Sequence, residues 1–475
     1  MAVSGIEVSR IDGGSTTVER SQLSDLQRRL GGGLLLPEDE GWDEATTTWN
    51  GMVAKLPAVV FQPTSPADLA TIVEFARNEG LLLSIKGGGH NIAGTSIAQE
   101  GITLDMSKMR SVSVDPETRV AHVGPGCLLG EVDKATQEHG LATVLGFVSE
   151  TGVAGLTLGG GWGYLTRRFG WTVDNLEEVE IVTADGEIRT ANREENPDLF
   201  WAVRGGGGNF GVVSRFTFRL HEVGPIITSG LIAWSAERAD EILEAYQDLT
   251  ATAPRELTAA AMIRLAPPAP FVPKEWHGQP IVAMVICYSG DDPDSALDRI
   301  NSIGDPIANV IATRPYTGQQ SMIDALEPKG PHRYWKTEFL PGLSSDFLNA
   351  FRDGALQVTS PLSQSVIFHL GGALNEHSPD DGAVGNRDAQ FISGFSGTWP
   401  PGAPADLHIN WVRESWARIR GYSTGGNYVN FQLADDDDNR LEAAYRDNFP
   451  RLQHIKAEYD PGNLFRVNRN ISPAA

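Results

Sequence analysis

Three clusters of glycine, all in the first half of the chain, constrain its fold more than any other feature. They read Lys86-Gly87-Gly88-Gly89-His90-Asn91, then Gly152 to Gly163 with Gly159-Gly160-Gly161-Trp162-Gly163 at its end, then Gly205-Gly206-Gly207-Gly208-Asn209-Phe210-Gly211. Lacking a Cβ, glycine lets backbone N–H groups come close to phosphate oxygens. One such cluster is explained by a structural turn. Three in one domain, each beside an expected element, fit an extended, phosphate-bearing ligand lying across several loops.

Two familiar motifs fail on context. Gly206, Gly208 and Gly211 spell GxGxxG, but a dinucleotide fold needs a strand before that motif and a helix after it. Here residues 197–203 read as helix and 212–220 alternate as a strand, the reverse order. Gly421-Tyr422-Ser423-Thr424-Gly425 matches the letters of a nucleophile elbow, yet it follows a helix and precedes a strand-like stretch at 428–431. No GxxxxGK[ST] or HExxH occurs.

Around the clusters the chain mixes helices with hairpins. Ser65-Pro66-Ala67-Asp68 is a helix start, with Ser as N-cap, Pro in the first turn and an acid near the positive helix end. Leu69, Ile72, Val73 and Ala76 form its apolar stripe and Gly80 its stop. Strands are expected at 81–85 and 102–106, and a helix near 129–138. Hairpins are expected at 112–114 with 120–123, and at 179–183 with 187–191 about Asp185-Gly186. This predicts α+β rather than a doubly wound sheet. Residues 1–48 form a polar lead-in with a helix at 21–30. After Val223-Gly224-Pro225 the texture changes. Helices at 237–250 and 294–303, with strands at 280–288 and 365–371, suit a second α+β domain of about 190 residues. Residues 414–420 and 440–456 read as helices, and Asp435 to Asp438 as a solvated turn.

Composition narrows the partners. With 41% hydrophobic residues over 475, the chain has ample material for more than one core. The 38 basic and 61 acidic residues give a net charge of -23, which argues against nucleic acid or an anionic membrane as partner. No apolar run is long enough to span a bilayer. Only 8 of the bases are Lys, which fits a high-salt habitat and the Arg bias of a GC-rich genome equally well. Cys127 and Cys287 lie in no metal or redox spacing, and no metal site is expected. Residues 1–20 carry Glu7, Asp12 and Glu19 where a secretory leader would be apolar, so a reducing, cytoplasmic setting is the expectation.

His90 stands at the tip of a glycine turn after a buried strand. A lone His there is usually a hydrogen-bonding residue, but an imidazole held by a phosphate-anchoring loop is also a nucleophile towards an electrophilic cofactor carbon. With Gly94-Thr95-Ser96, this loop resembles the (R/K)GGGH loop of FAD-linked oxidases of the vanillyl-alcohol oxidase and p-cresol methylhydroxylase type. Thr151 to Gly163 resembles the second FAD loop of that fold, and Phe210-Gly211-Val212-Val213 its third. Asn427-Tyr428-Val429-Asn430-Phe431, Tyr459-Asp460-Pro461-Gly462-Asn463-Leu464-Phe465 and Asn468-Arg469-Asn470-Ile471 are similar to a berberine bridge enzyme-like tail. The four motifs in order span about 55–472.

The resemblance implies an FAD domain of two α+β subdomains over 55–221, on which the lead-in 1–54 packs. It further implies a substrate domain over 222–411, with an antiparallel sheet covered by helices, and a tail, 412–475, returning to the FAD domain. It implies that FAD is held by Lys86, Gly87, Gly88, Gly89, His90, Asn91, Ile92 and Ser96 from the first loop. The second loop would contribute Thr151, Gly152, Gly155, Leu156, Gly160 and Gly161, the third Val213, and the tail Tyr428 and Asn430. His90 would carry an 8α-histidyl bond. Relatives with a second covalent link have Cys at the position of Val148, so a single link is expected.

The implied reaction is hydride transfer from a substrate C–H to FAD, paired with loss of a proton from a neighbouring O–H. Sugars, alcohols and phenolic or polyketide natural products are the candidate small-molecule substrates. Tyr428 is the expected base, which requires its pKa to be lowered or its phenolate stabilised; the alternative is a packing aromatic. His369, on a face with Ser365 and Ile367 if 365–369 alternates, is a second candidate base or substrate contact, against a satisfied sheet residue. Trp399, Trp411 and Trp416 read equally as site walls or as core. Dioxygen, reduced to hydrogen peroxide, is the acceptor the resemblance favours. Thr151 stands where relatives often carry an apolar residue gating oxygen, which keeps a dehydrogenase with another acceptor open. A flavin-free carbohydrate or nucleotide-sugar binding protein, and a reductase of the UDP-N-acetylmuramate type with non-covalent FAD and NADPH, are the other classes.

Overall fold

The computed structural model describes residues 5–475. A four-stranded sheet runs in the order Gly33–Leu35, Val59–Gln62, Ile102–Asp105, Leu83–Lys86, the last three parallel. Helix Pro66–Glu79 makes the crossover between two of them and begins as its sequence dictates. Ser65 accepts a hydrogen bond from the Asp68 N–H at 3.2 Å, and Gly80 ends the helix in the left-handed region at φ 64°. Its stripe of Leu69, Ile72, Val73 and Ala76 is buried against Val59, Phe61 and Leu104. The lead-in packs on the same core through Val8 and Val18 of a hairpin, Gly5–Ser9 with Ser15–Glu19, and through Leu23 and Leu26; its polar composition gives no sign of that hairpin.

A second, antiparallel sheet runs Ile188–Asn192, Leu176–Val182, Val212–Arg219, Val120–Val123, Val112–Asp115. Both expected hairpins are present, with Val112 opposite Val123 and Val179 opposite Ala191. Helix Pro197–Val203 precedes the third glycine cluster and strand Val212–Arg219 follows it, so the dinucleotide motif is absent in structure as well as in context.

The second unit is an antiparallel sheet ordered Ala308–Asn309, Ile226–Ser235, Pro280–Tyr288, Leu257–Leu265, Gln364–His369, Phe391–Trp399, His332–Leu340, with Ala312–Pro315 also on Ile226–Ser235. Helices Ala239–Ala251, Ser345–Ala355 and Ala405–Ile419 cover one face, where Tyr246, Phe351 and Val412 meet Ile263, Ile367 and Phe395. The other face turns to the first unit. Helix Ala405–Ile419 stays on this sheet to its end, so the second unit extends past the expected boundary at 411. The same core takes Trp399 and Trp411.

Two expected elements differ. Residues 440–456 do not form one helix: Asp438–Tyr445 stops, a 3-10 turn follows with Arg446 at φ 50°, and Phe449–Tyr459 begins anew. Pro450 cannot donate to a preceding turn, so it sits where a helix starts. Residues 428–431 are not a strand; Val429–Phe431 is a 3-10 turn. The acidic run is not simply solvated either, because Lys336 pairs with Asp435 at 3.0 Å and with Asp436 at 2.7 Å.

The tail returns to the first unit. Buried Lys456 donates to Asp460 Oδ2 at 2.6 Å, to the Asn209 carbonyl at 2.7 Å and to the Phe465 carbonyl at 3.0 Å. One ammonium thereby ties the tail to the third glycine loop. Among the described residues no helix is long and apolar enough to cross a membrane.

Candidate active site

A cavity open to solvent lies between the two units. All three glycine loops, the second-unit sheet and the tail line it. The first two loops touch: a Cβ on Gly88 would lie 2.3 Å from the Gly152 nitrogen. Gly159 makes room for Asn430, whose amide donates to the carbonyls of Gly155 at 3.1 Å and Leu156 at 3.2 Å. Gly155 and Gly208 are different. Both line the cavity, and a Cβ on either would meet no protein atom within 4 Å. Those two positions are cradle, open to a ligand.

His90 lines the cavity, half-buried among rings. Trp49 stacks on it at 4.9 Å with 16° between planes, and the Arg333 guanidinium lies 3.8 Å over Trp49. Thr151 Oγ1 is 3.3 Å from Nδ1, and Nε2 has no partner. Burial, aided by Lys329 and Arg333, pulls the imidazole down to about 3, so it is neutral and nucleophilic across the physiological range.

Tyr428 is buried at 4% exposure. Its hydroxyl oxygen accepts from the Gly161 N–H at 3.1 Å and from Asn430 Nδ2 at 3.0 Å. Burial pushes the phenol well above its ordinary value, and the two hydrogen bonds only partly offset this. The lowered pKa expected of a resting base is therefore not what this environment produces. With both oxygen lone pairs engaged, the phenolic hydrogen remains available to the cavity.

Of the residues expected to hold the cofactor, Gly87, Gly88, Gly89, His90, Asn91, Ile92, Ser96, Thr151, Gly152, Gly155, Leu156, Val213, Tyr428 and Asn430 line this cavity. Lys86, Gly160 and Gly161 do not. Lys86 points away to an ion pair with Asp105 at 3.6 Å. Gly161 backs onto Thr172, and Gly160 has Val384 and Trp171 as its neighbours.

His369 is also outside. Register sets the phase of its strand: Gln364, Val366 and Phe368 face the cavity, while Ser365, Ile367 and His369 face the opposite way. His369 stacks on Phe391 at 4.9 Å and lies 2.6 Å from Arg167 Nη1. Burial and Arg167 hold it down to about 2, so it is neutral, and it does not line the cavity. It is a structural residue, not a base. Trp399, Trp411 and Trp416 are likewise absent from the cavity lining.

Sequence reasoning missed the roof and its surroundings. Cross-strand pairing aligns three rows on the cavity face: Trp335, Ser396 and Gln364; Thr337, Gly394 and Val366; Phe339, Ile392 and Phe368. Trp162, Phe147 and Phe431 add further rings. Glu327, the sole carboxyl in the lining among the described residues, accepts from Gln364 Nε2 at 3.1 Å and lies 3.5 Å from Arg333 Nε. Burial raises it to about 6 against the pull of Arg333 and Arg264. The alternation at 364–369 was a usable signal for the roof; Trp49 and Glu327 carried none, since their positions depend on contacts hundreds of residues apart.

The lining fits FAD. Open glycine positions suit a diphosphate, and the tail's Arg469 contributes a cation whose Nη2 lacks a partner. Buried Ser96 Oγ and His90 Nε2 are also unpartnered.

Comparison with known proteins agrees. The family profile described as FAD binding domain matches residues 57–192, and that described as berberine and berberine like matches 427–472. An FAD-linked oxidoreductase of Dictyostelium discoideum is 30% identical over 90% of this chain and 91% of its own length. The crystal structure of 6-hydroxy-D-nicotine oxidase from Arthrobacter nicotinovorans superposes with a TM-score of 0.83 at 26% identity, covering 94% of this chain and 98% of that one. Glucooligosaccharide oxidase from Acremonium strictum, described with a 6-S-cysteinyl, 8α-N1-histidyl FAD, gives 0.80 at 27% identity over 94% and 98%. This chain is an enzyme of the FAD-linked oxidoreductases, and it belongs to the berberine bridge enzyme-like members of the vanillyl-alcohol oxidase and p-cresol methylhydroxylase family.

Proposed function

We propose that the enzyme oxidises a C–H next to an O–H in a small molecule, with FAD joined to His90 through one covalent bond and dioxygen as final acceptor, giving hydrogen peroxide. The observation that carries this reading is His90 itself, a neutral imidazole with an unpartnered Nε2 in the cavity wall beside the glycine cradle. FAD, when bound, supplies the two-electron acceptor for the substrate hydride.

The chain's own residues do the rest. The Arg333–Trp49 stack holds the His90 ring against rotation. Val148 lines the cavity where a second link would need a thiol, and neither Cys127 nor Cys287 lines it. The Tyr428 hydroxyl meets the substrate oxygen. The Gly161 N–H and Asn430 Nδ2 that it accepts would also stabilise a phenolate there, the form that takes the substrate proton. The two solved relatives are named for a hydroxylated nicotine and a glucooligosaccharide, both small molecules that carry hydroxyl groups.

The test is direct. Acid-precipitated protein should stay yellow, and His90→Ala should release its flavin into the supernatant. Flavin still attached to the His90→Ala variant in denaturant would refute the assignment. Anaerobic reduction by substrate followed by air, with peroxide measured, separates an oxidase from a dehydrogenase.

A further inference from the structure

We propose that Gln364 and Phe368, alternate residues on the cavity face of one roof strand, restrict the substrate to a neutral, planar aromatic molecule bearing a hydroxyl group and exclude oligosaccharides. This rests on the oxidoreductase reading of the same cavity.

Phe368 is part of an aromatic wall. It stacks on Phe147 at 5.0 Å with 23° between planes and meets Trp162 edge-on at 4.9 Å. Offset stacks and edge contacts of this kind are extended by another planar ring. The row containing Phe368 has only apolar side chains on the cavity face, Ala260 of the next strand included, and the ionisable side chain in the three roof rows is Arg264, which pairs with Gln364 at the far end. A saccharide brings many hydroxyls, each of which needs a partner once buried. Along those rows the polar side-chain groups are few and lie mainly at the far end.

That end is set by Gln364. Its Nε2 donates to Glu327 at 3.1 Å, and its Oε1 lies 3.5 Å from Arg264 Nη1. The bond to Glu327 sets the orientation of the amide, with one N–H and the carbonyl oxygen's free lone pair left for a ligand. Glu327 stands between two guanidiniums, Arg333 and Arg264, so the charge beside Gln364 sums to positive. An amine cation is disfavoured there; a hydroxyl, able to donate and to accept, matches.

The test is equilibrium binding of three probes to the purified holoenzyme by anaerobic calorimetry: 2-naphthol, 2-methoxynaphthalene and cellobiose. The expected result is that 2-naphthol binds about tenfold or more tighter than its methyl ether, with cellobiose weaker than both. Gln364→Leu should erase the difference between the two naphthalenes, and Phe368→Thr should weaken both about tenfold. Cellobiose binding as tightly as 2-naphthol, or the two naphthalenes binding equally to the unsubstituted protein, overturns the proposal without any variant having to fold. Flavin absorbance is recorded on the same sample. A colourless protein sinks the oxidoreductase reading, while the probe affinities still decide the chemistry of the pocket.

Discussion

Arg167 Nη1 lies 2.6 Å from His369 Nε2, and this contact bolts the first unit to the second-unit sheet on the side away from the cavity. The same guanidinium donates to the carbonyls of Leu257 at 2.8 Å and Gly371 at 2.9 Å. His369 is thus an acceptor in a joint between units. Replacing it with Ala removes that acceptor and leaves a void, which should cost about 2–4 kcal/mol in urea denaturation. Turnover per folded enzyme at saturating substrate should stay within about twofold; a large loss of turnover in stably folded protein would return His369 to the chemistry.

The same residue sets an acid limit. Unfolded, His369 binds a proton near the ordinary imidazole value of 6.5; folded, it does not until about 2. The unfolded state therefore holds the extra proton between those values. Stability is full above 6.5 and falls as pH drops, by up to about 1.4 kcal/mol per pH unit for this group. In His369→Gln the slope of stability against pH, measured between about pH 4 and 6, should shrink by close to one proton.

Tyr428 keeps its proton at neutral pH because burial raises it. If the phenolate takes the substrate proton, kcat/KM should climb with pH from neutral into the alkaline range. Tyr428→Phe should lose about 10²–10⁴-fold in kcat and abolish that climb. Steady-state rates across pH for both proteins check this, and a Phe variant with near-normal kcat would reduce Tyr428 to packing.

Gly155 and Gly208 face open cavity rather than protein. Gly155→Val and Gly208→Val should therefore fold yet carry much less flavin, read as the ratio of flavin to protein absorbance. Ordinary flavin content in both would mean the cradle is used elsewhere.

Lys456 and Asp460 form a fully buried pair at 2.6 Å. Lys456→Met leaves the carboxylate alone and should destabilise by about 3–5 kcal/mol. Because Lys456 also grips the Asn209 carbonyl, the variant should lose non-covalent grip on the cofactor, seen as faster flavin release from a His90→Ala background.

Much of the first unit was legible in the sequence because its signals are local. Ser65, Pro66 and Gly80 bound a helix through their own backbone preferences, and Asp185-Gly186 bends a hairpin with Gly186 at φ 88°. Pro450 also carried its signal, overlooked inside an otherwise helical stretch. The strand at 364–369 shows where local signals stop. Period-two alternation put Ser365, Ile367 and His369 on one face, but not on which side of the sheet the cavity lies.

The glycine loops by themselves determined that this chain makes a cradle for an extended, phosphate-bearing ligand, because closely spaced glycines act through backbone freedom alone; that the ligand is FAD came from the resemblance carried by the tip histidine and the tail motif. Only the tertiary structure decided what looks into the cradle. Trp49, stacked on His90, is itself capped by Arg333 from 284 residues along the chain, and Glu327 orients Gln364 through a side-chain hydrogen bond. Such contacts are fixed by how two packed units bury their apolar faces against each other, a long-range balance that no short stretch of residues encodes.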